Sequence, residues 1–238
     1  MRWLPNWKPS KKKWPSTLRK RLQNSRNTAK VIHIDPQHPR ADDIQAAADT
    51  LGQAGVLVFP TSGLYGLGAD AFCGQAVRRV FAIKRRQAHQ PVLVLLSGLH
   101  DMKKIVHTVP DYAQPLLRLW PGGITFIFKA CGSVPVELTG GTGKIGVRIP
   151  VHPVARALVA RFGSPVTATS ANLSGSPAVA SLTDLDPEIG RQVDMVLDAG
   201  PLAGGSGSTI LDVTCRPVRV IREGRVSREA IDTVIKNG

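Results

Sequence analysis

Cysteine is scarce in this 238-residue chain: Cys73, Cys131 and Cys215 lie far apart, odd in number and without a Cys-x-x-Cys pair. That argues against a disulfide framework or a zinc knuckle and favours a reducing cytoplasm. No run approaches the ~18–20 uninterrupted apolar residues of a spanning helix, which argues against a membrane protein. Aromatics make up only 5% of the chain, yet three of the four tryptophans (Trp3, Trp7, Trp14) fall in the first thirty residues. Those thirty residues also lack any Asp or Glu while holding ten Lys and Arg. The remaining residues carry 21 basic against 17 acidic side chains, so the formal charge of +14 belongs mainly to one end.

Residues 1–30 read as an appended basic tail, disordered alone, because Pro5, Pro9 and Pro15 break any continuous helix. Interleaved cations and aromatics suit contact with RNA, but a solvated extension or a targeting segment has the same composition. No apolar core follows the cations, which argues against a secretory signal. With 42% hydrophobic residues overall, there is ample material for a packed domain over 31–238.

From Val31 the pattern alternates between strands and helices. Short apolar runs predict strands at 31–34, 56–59, 92–96, 124–128, 145–149, 165–169, 193–197, 209–213 and 218–221. Helical periodicity predicts helices at 42–51, 76–84, 153–162 and 228–235, and one at 111–119 flawed by Pro115. Ile44, Ala47, Ala48 and Leu51 mark the apolar face of the first. Interleaved elements with some strand pairs lacking an intervening helix imply an α/β fold on a twisted mixed sheet, with no linker to split it.

Familiar catalytic motifs are missing. Gly140–Ile145 lacks the first glycine and the Ser/Thr of a phosphate loop, and Gly63–Gly68 has the wrong glycine order for a dinucleotide fingerprint. There is no Gly-x-Ser-x-Gly elbow and no His-Glu-x-x-His helix. With no covalent nucleophile indicated, any chemistry runs on positioning and electrostatics. Three groupings stand out. The segment Phe59–Asp70 ends an apolar strand in Pro60 and continues through small hydroxylated and glycine residues, as a tight turn or a ligand loop would. Lys84-Arg85-Arg86 closes a predicted helix, where cations complement the helix dipole or hold a phosphate chain. Thr167–Gly175 follows a strand with short polar side chains that suit either a capped turn or a nucleotide.

In order and spacing these groupings resemble the YrdC-type threonylcarbamoyl-AMP synthase family over about 31–238. The motifs are Pro60-Thr61 with Tyr65–Gly68, Lys84 with Arg86, and Trp120-Pro121-Gly122 with Thr125. Arg148-Ile149-Pro150, Ser170-Ala171-Asn172 with Ser174-Gly175, Ser208-Thr209-Ile210 with Asp212, and Arg222-Glu223-Gly224 complete them. The resemblance implies a positively charged concave groove in the sheet. It also implies a reaction joining L-threonine, bicarbonate or CO2, and ATP into threonylcarbamoyl-adenylate and pyrophosphate. Downstream tRNA-threonylcarbamoyl transfer enzymes would then modify an adenosine beside the anticodon. By the same resemblance, Lys84 and Arg86 act on the ATP phosphates, with Lys144, Ser170, Asn172 and Arg222 also on the nucleotide. Thr61, Arg148 and Ser208 bind threonine, and Mg2+ rides on ATP oxygens and water without a protein cage.

The sequence also departs from the family pattern. The turn usually reads Pro-Thr-(Asp/Glu)-Thr-Val-Tyr-Gly-Leu, whereas Ser62-Gly63-Leu64 stands in its middle here. Gln87 follows Arg86 in place of proline, and His89-Gln90-Pro91-Val92 replaces the later Asn-Pro-Leu. Leu93–Leu96 offers no histidine in the following strand, and the extra C-terminal domain of longer relatives is not expected. The alternative function is a diverged paralog that binds RNA or ribosomal particles without forming the adenylate. Carbamoyl transfer in a multidomain machine is disfavoured by the missing cysteine pairs and acylphosphatase-like module. Deleting residues 1–30 is expected to lower RNA affinity while sparing adenylate synthesis; loss of synthesis in that truncation would overturn the division.

Overall fold

The computed structural model describes residues 29–87 and 89–236. Ten strands occur among them: β1 Lys30–His33, β2 Leu57–Pro60, β3 Tyr65–Gly68, β4 Leu93–Leu95, β5 Ile124–Lys129, β6 Lys144–Arg148, β7 Val166–Ser170, β8 Met195–Asp198, β9 Thr209–Asp212 and β10 Arg219–Arg222. The helices are α1 Ala41–Gly52, α2 Gly74–Lys84, α3 Val136–Thr139, α4 Pro153–Phe162, α5 Pro187–Gln192 and α6 Arg228–Lys236. The strands form one mixed sheet in the order β1-β8-β2-β3-β7-β4-β6-β5-β9-β10. All nine expected strands form, with bounds shifted by two residues at most. The readings made for residues 1–28 lie outside the described residues. Ala29 is buried in the core and Lys30 pairs with Met195, so these two residues, expected in the tail, belong with the sheet, and a truncation that spares the sheet ends at residue 28.

Side-chain alternation along the strands builds a core on both faces. Leu57 and Phe59 of β2 pack with the apolar faces of α1 and α4, whereas Val58 between them joins Ala76, Val80 and Ile83 of α2. Ile44, Ala47, Ala48 and Leu51 are the buried residues of α1, as their spacing implies. A third cluster centres on Phe126 and Phe128, against whose rings Trp120 packs.

Two expectations need correction. The Phe59–Asp70 segment is not mainly loop: Tyr65-Gly66-Leu67-Gly68 is a fully buried central strand, and the turn shrinks to 61–64. Glycine is a poor strand former in general, but a Cβ on Gly68 would meet the Thr167 carbonyl oxygen at 2.5 Å and the Phe59 ring at 2.6 Å. Residues 111–119 wind as a 3-10 helix, with Pro115 inside it. Proline has no N–H to give an α-helical ladder, and the tighter winding accommodates that.

Candidate active site

Trp120 anchors one wall of the site. Its buried indole donates to the Ile124 carbonyl at 3.0 Å and its ring meets Phe126 edge-on at 4.8 Å between centroids. The following turn thereby presents the Gly122 carbonyl to Arg148, the last residue of β6, whose Nε donates to it at 2.9 Å. Arg148 Nη2 donates to Ser62 Oγ at 2.6 Å, in the turn between β2 and β3. Arg148 is only 8% exposed, and neither of these acceptors carries a charge. Burial, with Arg225 and Arg222 as neighbouring positive charges, lowers its pKa to about 10. It remains a cation at neutral pH.

Arg222 reaches the same place through an irregular strand pairing. Val220 pairs with Leu211 but Arg222 with Ile210, so the extra residue Ile221 makes a bulge that re-aims Arg222. Its guanidinium donates to the Ser208 carbonyl at 2.8 Å. Ser208 Oγ shares a 2.8 Å hydrogen bond with Thr125 Oγ1, both buried. Thr61 Oγ1 donates to the Leu64 carbonyl at 2.6 Å and so closes its own turn. Arg148, Arg222 and Arg225 converge here, and none forms an ion pair among the described residues.

A second cluster forms where α2 ends. Lys84 is 2% exposed, and its ammonium donates to the carbonyls of Ser170 at 2.5 Å and Asn172 at 2.6 Å, with Asn172 Oδ1 at 3.2 Å. Asn172 Nδ2 donates to the Leu173 and Ser176 carbonyls, which fixes its amide. The structure thus brings Lys84, Ser170 and Asn172 together, with all three N–H groups of Lys84 turned onto its own chain. Arg86 donates to the Gln90 and Pro91 carbonyls at 3.3 and 2.8 Å and lies close enough to lower the Lys84 pKa. The turn at 61–64 is the shared wall: Ser62 touches Arg148, while Gly66 two residues beyond the turn pairs with Ser170.

Lys144 joins neither cluster. It stands at the opposite end of β6 from Arg148, about 13 Å away at ~3.3 Å per residue. Its ammonium pairs with Asp212 at 2.9 Å. Burial would raise the Asp212 pKa, but hydrogen bonds from Thr214 and Lys144 hold it below the usual carboxylate value.

The family model described as telomere recombination, that of Sua5, YciO and YrdC, matches residues 49–224. The chain belongs to the Sua5/YciO/YrdC family. It is 36% identical over 194 residues to the threonylcarbamoyl-AMP synthase of Xanthomonas campestris pv. campestris, covering 80% of this chain and 100% of that one. It is similar to the structure of Pyrococcus abyssi Sua5 complexed with L-threonine, with a TM-score of 0.82 and 30% identity, over 86% of this chain and 60% of that one. The E. coli YciO structure is similar with a TM-score of 0.77 and 26% identity, over 85% and 98% of the two chains.

Ser62 and Arg225 stand beside Arg148 in the structure, and neither is among the residues expected there. Arg225 lies three residues after Arg222, just past the Arg222-Glu223-Gly224 motif, and Ser62 stood only as a departure from the family turn. Arg222, expected on the nucleotide, lies beside Arg148 and Ser208, both expected on threonine.

Burial, followed by the charge of Arg86, lowers the Lys84 pKa to about 8. Lys84 is therefore charged below about pH 8 and loses that charge as pH rises through it. Calorimetric affinity for ATP is expected to weaken as pH rises through that value. In Lys84→Met it should be weaker and flat from about pH 7 to 9; a Lys84→Met profile that still falls near pH 8 would assign the titration elsewhere.

Proposed function

We propose that the chain is a threonylcarbamoyl-AMP synthase, taking L-threonine, bicarbonate or CO2, and ATP to threonylcarbamoyl-adenylate and pyrophosphate. The observation that carries this reading is the convergence of Arg148 and Arg222 on Ser208 and Ser62 without a carboxylate of the protein among the described residues, in a fold similar to a structure complexed with L-threonine. The threonine amine attacks the carbon of CO2 and loses a proton, or attacks that of bicarbonate and water leaves; either way the product is a carbamate. A carbamate oxygen then attacks the α-phosphorus of ATP and pyrophosphate leaves. No covalent bond to the protein is needed, so its work is orientation and charge neutralisation.

In this assignment Arg148 takes the threonine carboxylate with its free N–H groups, in the planar fork geometry that suits a carboxylate. Thr61 shapes the turn carrying Ser62, and Ser208 offers a buried hydroxyl backed by Thr125. Arg222 spans the junction between amino acid and nucleotide. Lys84 holds the Ser170–Asn172 segment in place for the nucleotide, and its charge acts on the phosphates through space, alongside that of Arg86. Lys144 would reach a nucleotide only by leaving Asp212. These cations would line the expected concave groove. Mg2+ is proposed to ride on the ATP oxygens and water, as the charge of the phosphate chain allows.

The product calls for an enzyme that transfers the threonylcarbamoyl group to tRNA, and the basic tail over residues 1–30, with the expected groove, is the proposed RNA contact. No helix among the described residues is long and apolar enough to cross a membrane. A second reading, RNA binding without adenylate synthesis, draws on the internal partners that occupy Lys84 and Lys144.

Pyrophosphate release is expected only when threonine, bicarbonate and ATP are all present, with serine a poorer substrate than threonine. Arg86→Ala is expected to lower it by roughly 10–100-fold, as loss of a charged hydrogen bond on a phosphate does. Release that survives in both Lys84→Ala and Arg86→Ala would overturn the phosphate assignment. Salt-sensitive RNA affinity with no turnover would decide for the second reading.

A further inference from the structure

We propose that Arg225 is an oxyanion-binding residue: with Arg148 it forms a two-guanidinium clamp for a small planar oxyanion, the amino-acid carboxylate or bicarbonate. The inference rests on the synthase reading of the site and goes beyond it, because Arg148 and Arg222 already account for the threonine carboxylate and the nucleotide junction.

The clamp is built around the turn at 61–64. Ser62 accepts from Arg148, and the next residue, Gly63, leaves the space that the Arg225 guanidinium fills. A Cβ on Gly63 would overlap that guanidinium and come within 2.6 Å of the Gly204 carbonyl oxygen. A Cβ on Gly123, beside the Gly122 carbonyl that holds Arg148, would come within 2.7 Å of Arg225 Cβ. Two positions without side chains, on two separate segments, thus open one slot for one arginine.

Arg225 is held in the slot from one edge only. Nη2 donates to the Gly204 carbonyl at 2.7 Å and Nε to the Ser206 carbonyl at 3.3 Å, while Nη1 has no partner among the described residues. Both acceptors are neutral, and no carboxylate pairs with Arg225 or with Arg148 among those residues. Two like charges held beside one dipeptide repel each other, more strongly where one is buried. A bridging anion turns that repulsion into two attractions, and a guanidinium fork matches the two oxygens of a carboxylate or bicarbonate.

A purely structural part for Arg225, tying the 200–207 loop to the turn, would show in stability alone. The test therefore measures KM for each substrate in pyrophosphate release, melting temperature, and calorimetric binding of L-threonine and of bicarbonate separately. Arg225→Ala is expected to raise KM and weaken binding for one of these two oxyanions by about tenfold or more, the identity of the affected arm naming the ligand. KM for ATP should move by less than about twofold. Arg225→Lys should recover only part of the loss, because an ammonium lacks the fork. A lowered melting temperature with both oxyanion arms unmoved would overturn the clamp, as would wild-type protein that binds neither oxyanion. Wild-type protein that releases no pyrophosphate but loses oxyanion binding in Arg225→Ala would sink the synthase reading and support the clamp.

Discussion

Arg148 is a buried guanidinium that the fold leaves without a negative partner among its described residues. Taking such a charge out of water costs several kcal/mol even after relaxation. Here the compensation comes only from the Gly122 carbonyl and the Ser62 hydroxyl, with Arg222 and Arg225 adding repulsion. Much of the surrounding construction follows from holding that charge in place. Trp120 is pinned into the aromatic cluster so that Gly122 faces Arg148. The turn after β2 is kept short and closed by Thr61 so that Ser62 faces it from the other side. Stability given up at one point in this way is recovered in a core of three apolar clusters on both faces of the sheet.

The second cluster follows a different logic. Lys84 is as buried as Arg148 but fully hydrogen-bonded, to two carbonyls and an amide oxygen. Its pKa near 8 reflects burial more than want of partners. One cation thus organises a loop while the other keeps N–H groups free of protein partners among the described residues, and the β2–β3 turn joins the two. This division suits a reaction with two differently charged ends: a small carboxylate at one side and a nucleotide at the other.

The sequence was legible where periodicity and local chemistry agree. The α4 helix has the expected bounds because Pro153 starts it and Gly163 ends it in the left-handed conformation. Strands dominated by Val, Ile and Phe were equally plain. The β3 strand was not, because Gly66 and Gly68 mark loops by propensity and strands only where a neighbouring backbone approaches closely. Of the site, Lys84, Ser170 and Asn172 do come together, as do Arg148 and Ser208 with Arg222. Lys144 shares the strand and side-chain parity of Arg148, but a strand pattern does not reveal that Asp212, two strands away, takes its charge. Arg225 stayed hidden because its place depends on a slot opened by Gly63 and Gly123, distant in sequence from each other and from it.

The most direct measurement is a paired one on Arg148→Gln: melting temperature without ligand, and calorimetric affinity for L-threonine. Removing a buried, uncompensated charge should leave the melting temperature unchanged or raise it, while threonine affinity falls by roughly 10–100-fold. A lowered melting temperature with threonine affinity intact would show Arg148 to be a structural support and contradict its place at the centre of the site.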